Sequence, residues 1–336
     1  MRKIFLGLAL VLVIGGAFYL HFHHPLEPLE TAFVGTHELT LWSTTAQVRA
    51  PVSTASFGDR LEILRRFEGQ VQVRSTRGIT GWVNERDLIS ADLWLKAQDL
   101  DKSAAAMPIE ARGLTKVISN LHLQAGRDSV RIRQLNKGVQ LDLLERQALD
   151  VPSSPGATIE GDDASSAPAQ SKREDWWLVR AHIPEGGTLA GWTLGRFIDL
   201  EVPEPLPDYA TSADMRIVAW FELNHVTGAA GNSRPQYLLL GTKGPEGQPC
   251  DFNLLRVYTW SLQRQRYETA YVESGFCGKL PIHLAAAAAP GGDASFSFQD
   301  ISTGASTERK YHMHQTIVRR EREADADAAP VSRRAH

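Results

Sequence analysis

Apolar and polar residues alternate in short blocks through most of this chain. Residues 39–42, 60–66, 70–75 and 81–84 show the alternation, with turn-forming residues at 57–59, 68–69 and 76–78 between them. Such blocks predict short, half-buried strands. The period changes at 91–106, where Leu93, Ala97, Leu100 and Ala104 fall on one helical face behind Ser90 as N-cap, and Pro108 closes the segment. Alternation resumes over 115–203. It returns at 216–223, 236–241, 252–262, 267–273, 294–299 and 310–319. Tyr258, Trp260 and Tyr267 suit a hairpin turning near 263–265, with aromatic rings paired across it. Without alternation of strands and helices, the expected class is mainly β with antiparallel sheets.

Two of these stretches repeat one another. GDRLEIL from Gly58 returns as GVQLDLL from Gly138, QVQVR ending at Arg74 as WWLVR ending at Arg180, and Gly81-Trp82 as Gly191-Trp192. The offset grows from 80 to 106 to 110, so insertions fall between blocks that stay intact, as loops of a duplicated unit allow. The larger insertion, 147–174, is rich in Ser, Ala, Pro and Gly and is expected to be disordered.

The first residues differ in kind. Arg2 and Lys3 precede 17 uncharged, mostly apolar residues, 4–20. That length lies at the lower limit for crossing a bilayer, between a retained anchor and a signal peptide cleaved after Ala17. The flanking charges place its start in the cytoplasm and the rest of the chain outside. Export changes the reading of Cys250 and Cys277, the only two cysteines among 336 residues. In an oxidising compartment they are expected to form one disulfide, worth about 3.5 kcal/mol by loop closure. The balance of 36 basic and 39 acidic residues leaves no basic block, so nucleic acid is not an expected partner.

The repeated pattern resembles bacterial SH3-like domains of the SH3b type. It is carried by FGDRLEILRR, QVQVRS and GITGWV in the first copy and by NKGVQLDLLE, WWLVRA and LAGWTL in the second. The resemblance implies small barrels of about five strands, with the glycine before Trp82 or Trp192 releasing the chain into a tight turn. The expected plan is a membrane segment at 1–24, a spacer at 25–30 and barrels at 31–90 and 115–203 joined through a helical linker at 91–114. An antiparallel domain at 208–320 and a disordered tail at 321–336 follow. The resemblance also implies ligand binding, either of a cell-wall peptide or of an extended segment of an envelope protein. The chain would then be a non-catalytic protein of the bacterial cytoplasmic membrane, exposed on the outer (periplasmic) side or secreted after cleavage. The alternative is a scaffold whose barrels pack on the last domain.

Trp82, Trp192, Trp176 and Trp177 are the candidate ligand contacts, with barrel packing as the competing role of Trp82 and Trp192. Trp176 and Trp177 are consecutive, so they point to opposite faces of a strand. Arg74 and Arg180 suit ion pairs within the barrels. No cofactor or metal is expected: His21, His23 and His24 lack partners, and His312 with His314 lacks a third ligand. A cysteine peptidase built on Cys250 and His312 is a weaker alternative, because Phe252 onward reads as strand rather than helix.

Overall fold

The computed structural model describes residues 27–151, 172–184, 186–228, 231–289 and 291–321. The segment expected to meet the membrane, most of the insert and the tail from 322 lie outside the described residues. Among the described residues no helix is long and apolar enough to cross a bilayer. The protein is mainly β, with three antiparallel seven-stranded sheets and few helices. It divides into two compact units, 1–96 and 97–336.

The first unit holds β1 (Glu30–Val34), β2 (Glu38–Trp42), β3 (Pro51–Ser56), β4 (Arg60–Phe67), β5 (Gln70–Ser75), β6 (Thr80–Asn84) and β7 (Leu88–Ser90). Alternation decides what each strand buries: Val34, Leu39, Leu41, Leu61, Ile63, Val71, Val73 and Val83 all turn to one core. The strands lie in the order β3-β2-β6-β5-β4-β1-β7.

The second unit opens with the repeat of that sheet. Its strands are β8 (Ala111–Thr115), β9 (Ser119–His122), β10 (Arg131–Leu135), β11 (Gln140–Asp150), β12 (Arg173–His182), β13 (Thr188–Leu194) and β14 (Ile198–Leu200). Their order, β10-β9-β13-β12-β11-β8-β14, is the first order advanced by seven. Local detail repeats as well. Gly58 and Gly138 both turn with positive φ, +82° and +84°. Both sheets also break register at one matching step, between Ile63 and Arg65 and between Leu143 and Glu145. The β11–β12 ladder continues to Asp150 opposite Arg173, so both ends of the expected loop at 147–174 are strand.

The glycine before each repeated tryptophan has a different role from the turn expected of it. Gly81 and Gly191 lie inside β6 and β13. A Cβ on Gly81 would sit 2.7 Å from Leu41 Cβ, and one on Gly191 would sit 2.9 Å from Leu121 Cβ. Close approach of neighbouring strands, not backbone torsion, excludes a side chain there. Gly191→Ala should therefore cost about 1–3 kcal/mol by overpacking. A lowered urea midpoint with an unchanged slope is the expected readout.

Helix α1 (Ala91–Ala105) begins at Ser90, whose Oγ accepts from Leu93 N at 3.2 Å. In the first unit Trp94 stacks on Phe33, with ring centroids 5.0 Å apart. In the second unit Leu100 and Ala104 join a cluster with Trp176, Leu178, Ala190 and Trp192. Asp101 adds a polar contact there by accepting from Ala190 N at 3.0 Å.

The segment after the second sheet is not only a linker. Residues Leu206–Ser212 form α2, started by Pro207 in its first turn. Leu206 and Ala210 are buried against Tyr237, Leu239, Leu254 and Tyr258 of the third sheet. That sheet is a meander of β15 (Arg216–Thr227), β16 (Ser233–Thr242), β17 (Phe252–Ser261), β18 (Arg266–Ala285), β19 (Ala294–Asp300), β20 (Thr307–His314) and β21 (Ile317–Arg320). Trp260 faces Tyr267 across the expected hairpin. The single strand expected at 310–319 is instead a hairpin, because Gln315 turns with φ +53°. Cys250 and Cys277 are bonded, their Cα atoms 4.8 Å apart, beside the Phe252–Gly278 pair.

A buried arginine locks the second sheet to the third. Arg146, on β11, is only 2% exposed in its side chain. It donates to Cys250 O at 2.9 Å, Asp251 Oδ1 at 3.0 Å and Gln248 O at 3.0 Å, and also to Asp175 Oδ1. Gly247 N donates to the same Asp175 oxygen at 2.9 Å, and Lys279 reaches Asp251 at 2.8 Å. One guanidinium fork thus meets two carboxylates and two carbonyls, and every buried charge has partners. Nearby, Glu110 is 2% exposed and accepts from Ile282 N at 3.2 Å.

Candidate ligand-binding site

The two matching sheets each present a row of equivalent positions on the face turned away from the core. In the first sheet Pro51, Trp42, Trp82, Gln72 and Arg65 stand opposite one another in successive strand pairs. In the second sheet the equivalent row is Arg131, His122, Trp192, Leu178 and Glu145. Inward neighbours fill the core, so alternation places these residues outward.

The two rows have different surroundings. In the second sheet Leu178 and Trp192 are 4% and 7% exposed, in one cluster with Leu100 and Ala104 of α1. Leucine at 178 and alanine at 190 make that face apolar enough to bury, where the first sheet has Gln72 and Thr80. In the first sheet Trp42, Trp82 and Gln72 are half-buried, and Pro51 and Arg65 are exposed. The Arg49 guanidinium stands 4.4 Å from the centroid of Trp42, over its face. Two part-exposed indoles, an amide and two arginines thus share one outer surface.

The other tryptophans singled out from sequence are buried. Trp176 is 2% exposed and meets His122 edge-on, with centroids 5.4 Å apart. Trp177, 6% exposed, borders a cleft of about 620 Å³ between the second and third sheets, with Leu143 and Met215. The pair does point to opposite faces, but both faces are covered. Next to Trp176, Glu174 takes two hydrogen bonds from Arg127, at 2.9 and 2.5 Å, and another from Arg196. The Arg127 hydrogen bond, helped by Arg196, holds its carboxyl down to about 2 despite its burial. Arg74 pairs with Glu62 at 3.4 Å and Arg180 with Asp142 at 3.2 Å, equivalent contacts across β4–β5 and β11–β12.

The remaining candidates fall apart from this surface. His312 pairs with Glu321, while His314 pairs with Asp293 at 2.5 Å, so the two rings serve different carboxylates. Among the described residues no group of three or more possible metal ligands converges. Cys250 is engaged with Cys277 and precedes a strand. Trp42, Arg49, Gln72 and Arg65 do not stand out in the sequence, because only the pairing of Trp42 with Trp82, about 40 residues on, gathers their local hairpins into one row.

Solved structures similar to this chain include an NlpC/P60 family protein from Bacillus cereus ATCC 10987. It is 14% identical, covers 61% of this chain and 67% of its own, and has a TM-score of 0.22. NlpC2 from Trichomonas vaginalis is 11% identical over 91% of this chain and 96% of its own, with a TM-score of 0.18. At these scores neither likeness carries an argument about function. No protein-family model matches the chain, and no curated protein matches it.

Proposed function

We propose that this chain is a non-catalytic envelope protein built on two SH3-like modules, of which the first binds and the second supports. Residues 4–20 would hold it at the bacterial cytoplasmic membrane, with the sheets outside. The first module would take a cell-wall peptide or an extended protein segment across the Trp42–Trp82 row. The observation that carries this reading is the contrast between equivalent rows, half-open in one copy and covered by α1 in the other. Indole faces supply large apolar contact at low entropic cost, as binding hot spots do. A supporting role for the second module has its own observation in the Arg146 lock, which joins that module to the third sheet. The engagement of Cys250 in a disulfide supports the non-catalytic part of the reading.

The test is sedimentation of the full chain, in mild detergent, with purified bacterial cell wall. Trp42→Ala and Trp82→Ala should each weaken binding about tenfold or more. Thermal unfolding should stay within a few degrees of the parent. Arg127→Ala in the second module should leave wall binding unchanged. Failure of the parent chain to sediment with the wall, or equal binding by the tryptophan variants, would remove the proposal.

A further inference from the structure

The arginines that flank the open row add a chemical requirement on what lies there. Arg65 ends the row on β4, opposite Gln72. Arg49 stands at the other end, over Trp42. Both side chains are exposed, and among the described residues neither is seen paired with a carboxylate. Their neighbours differ in this respect. Arg66 is held between Glu30 and Glu85, at 2.9 Å from the latter, and Arg74 is paired with Glu62. The other row residues, Pro51, Trp42, Trp82 and Gln72, carry no charge. The face therefore holds two uncompensated cations at the ends of an aromatic and amide strip.

The second sheet shows a different charge pattern, with Arg131 at one end of its row and a carboxylate at the other. Its row ends in Glu145 where the first has Arg65. Its loop arginine, Arg127, is spent on Glu174. An arginine at each end is particular to the first copy, since the second row has Arg131 exposed at one end and Glu145 at the other.

We infer that the ligand of the first module is an acidic extended peptide, with carboxylates near both ends of the segment that crosses the row. This rests on the reading of that row as the binding face. Trp42 and Arg65 stand on strands three spacings apart, roughly 14 Å, which an extended chain covers in about four residues. Carboxylates about four residues apart would reach Arg49 and Arg65 together. Apolar or proline side chains between them would lie on Trp42 and Trp82. Arginine suits this task because its planar fork binds a carboxylate in two parallel hydrogen bonds.

The probe is a set of fluorescein-labelled eight-residue peptides of Gly, Ala and Pro. They carry two Glu, two Gln or two Lys residues four positions apart. Anisotropy titration of the full chain at low salt should show the Glu peptide binding about tenfold or more tighter than the Gln peptide, with the Lys peptide weakest. The preference should shrink as salt is raised. The double variant Arg49→Glu, Arg65→Glu should invert the order in favour of the Lys peptide. Both side chains are exposed, and an unchanged melting curve confirms that the variant is folded. Equal binding of the Glu and Gln peptides, binding of none, or an unchanged order in the double variant overturns the inference. Wall sedimentation separates the two claims. Loss of wall binding in Trp82→Ala without loss in the charge-reversed variant keeps the aromatic face and discards the acidic ligand.

Discussion

Arg146→Ala should lower the stability of the second unit by about 3–5 kcal/mol. The side chain lost would leave Asp175 and Asp251 as buried carboxylates short of a partner, at 8% and 3% side-chain exposure. Uncompensated buried charge is what makes such a truncation costly, more than the value of the pair itself. Asp251 would keep Lys279 and Leu280 N, and Asp175 would keep Gly247 N and, at 3.4 Å, Arg216, so some of the loss is cushioned. For a unit of this size the melting temperature should fall by roughly 6–20 °C. Arg146→Lys should lie between the two, because an ammonium restores charge but not the fork that reaches four acceptors. A calorimetric scan decides it. If Arg146→Ala melts like the parent, the arginine does not hold the two sheets together.

Glu110→Gln should stabilise the protein above neutral pH and leave it unchanged in acid. Burial pushes the Glu110 carboxyl up from 4.5 to about 7, opposed by the hydrogen bond from Ile282 N and reinforced by Asp251. Below about pH 4.5 the group is protonated in folded and unfolded chains alike, and folding gains nothing from titration. Between about 4.5 and 7 the unfolded chain releases the proton while the fold retains it, so stability falls as pH rises. Above about 7 the loss is complete, at about 3 kcal/mol. The amide keeps the acceptor for Ile282 N and has no charge to bury. Urea unfolding from pH 4.5 to 8.5 should give two curves that meet in acid and separate in base. Parallel curves would show that Glu110 ionises freely in the fold.

Much of the fold could be read along the chain, because it is written in local signals. The turn at Gly58 and Gly138, the Gly-Trp pairs and the alternation of QVQVR located both copies of one sheet. The helix at 91–105 declared its apolar face through Ala97, Leu100 and Ala104. What that face covers was not legible, since Leu178 and Trp192 lie some 80 residues further on. The lock around Arg146 was hidden for the same reason: its acceptors at 248–251 are about a hundred residues away, and all four contacts go to backbone or to a shared carboxylate. Trp42 could be placed on a strand but not beside Trp82, because that neighbour depends on the β2–β6 pairing. Proline at 205 and 207 suggested a linker, yet proline also starts helices, and Leu206 with Ala210 supplied a face to bury.

The two rows carry a practical consequence. Since Trp192 occupies the position of Trp82 in a sheet of the same order, one polypeptide contains both a part-exposed indole and its covered counterpart. Residue-resolved oxidative labelling can therefore be calibrated within a single molecule, at one concentration and one dose. Protection of Trp82 by an added compound, scored against the constant signal of Trp192, separates occupancy of the face from scavenging of the reagent.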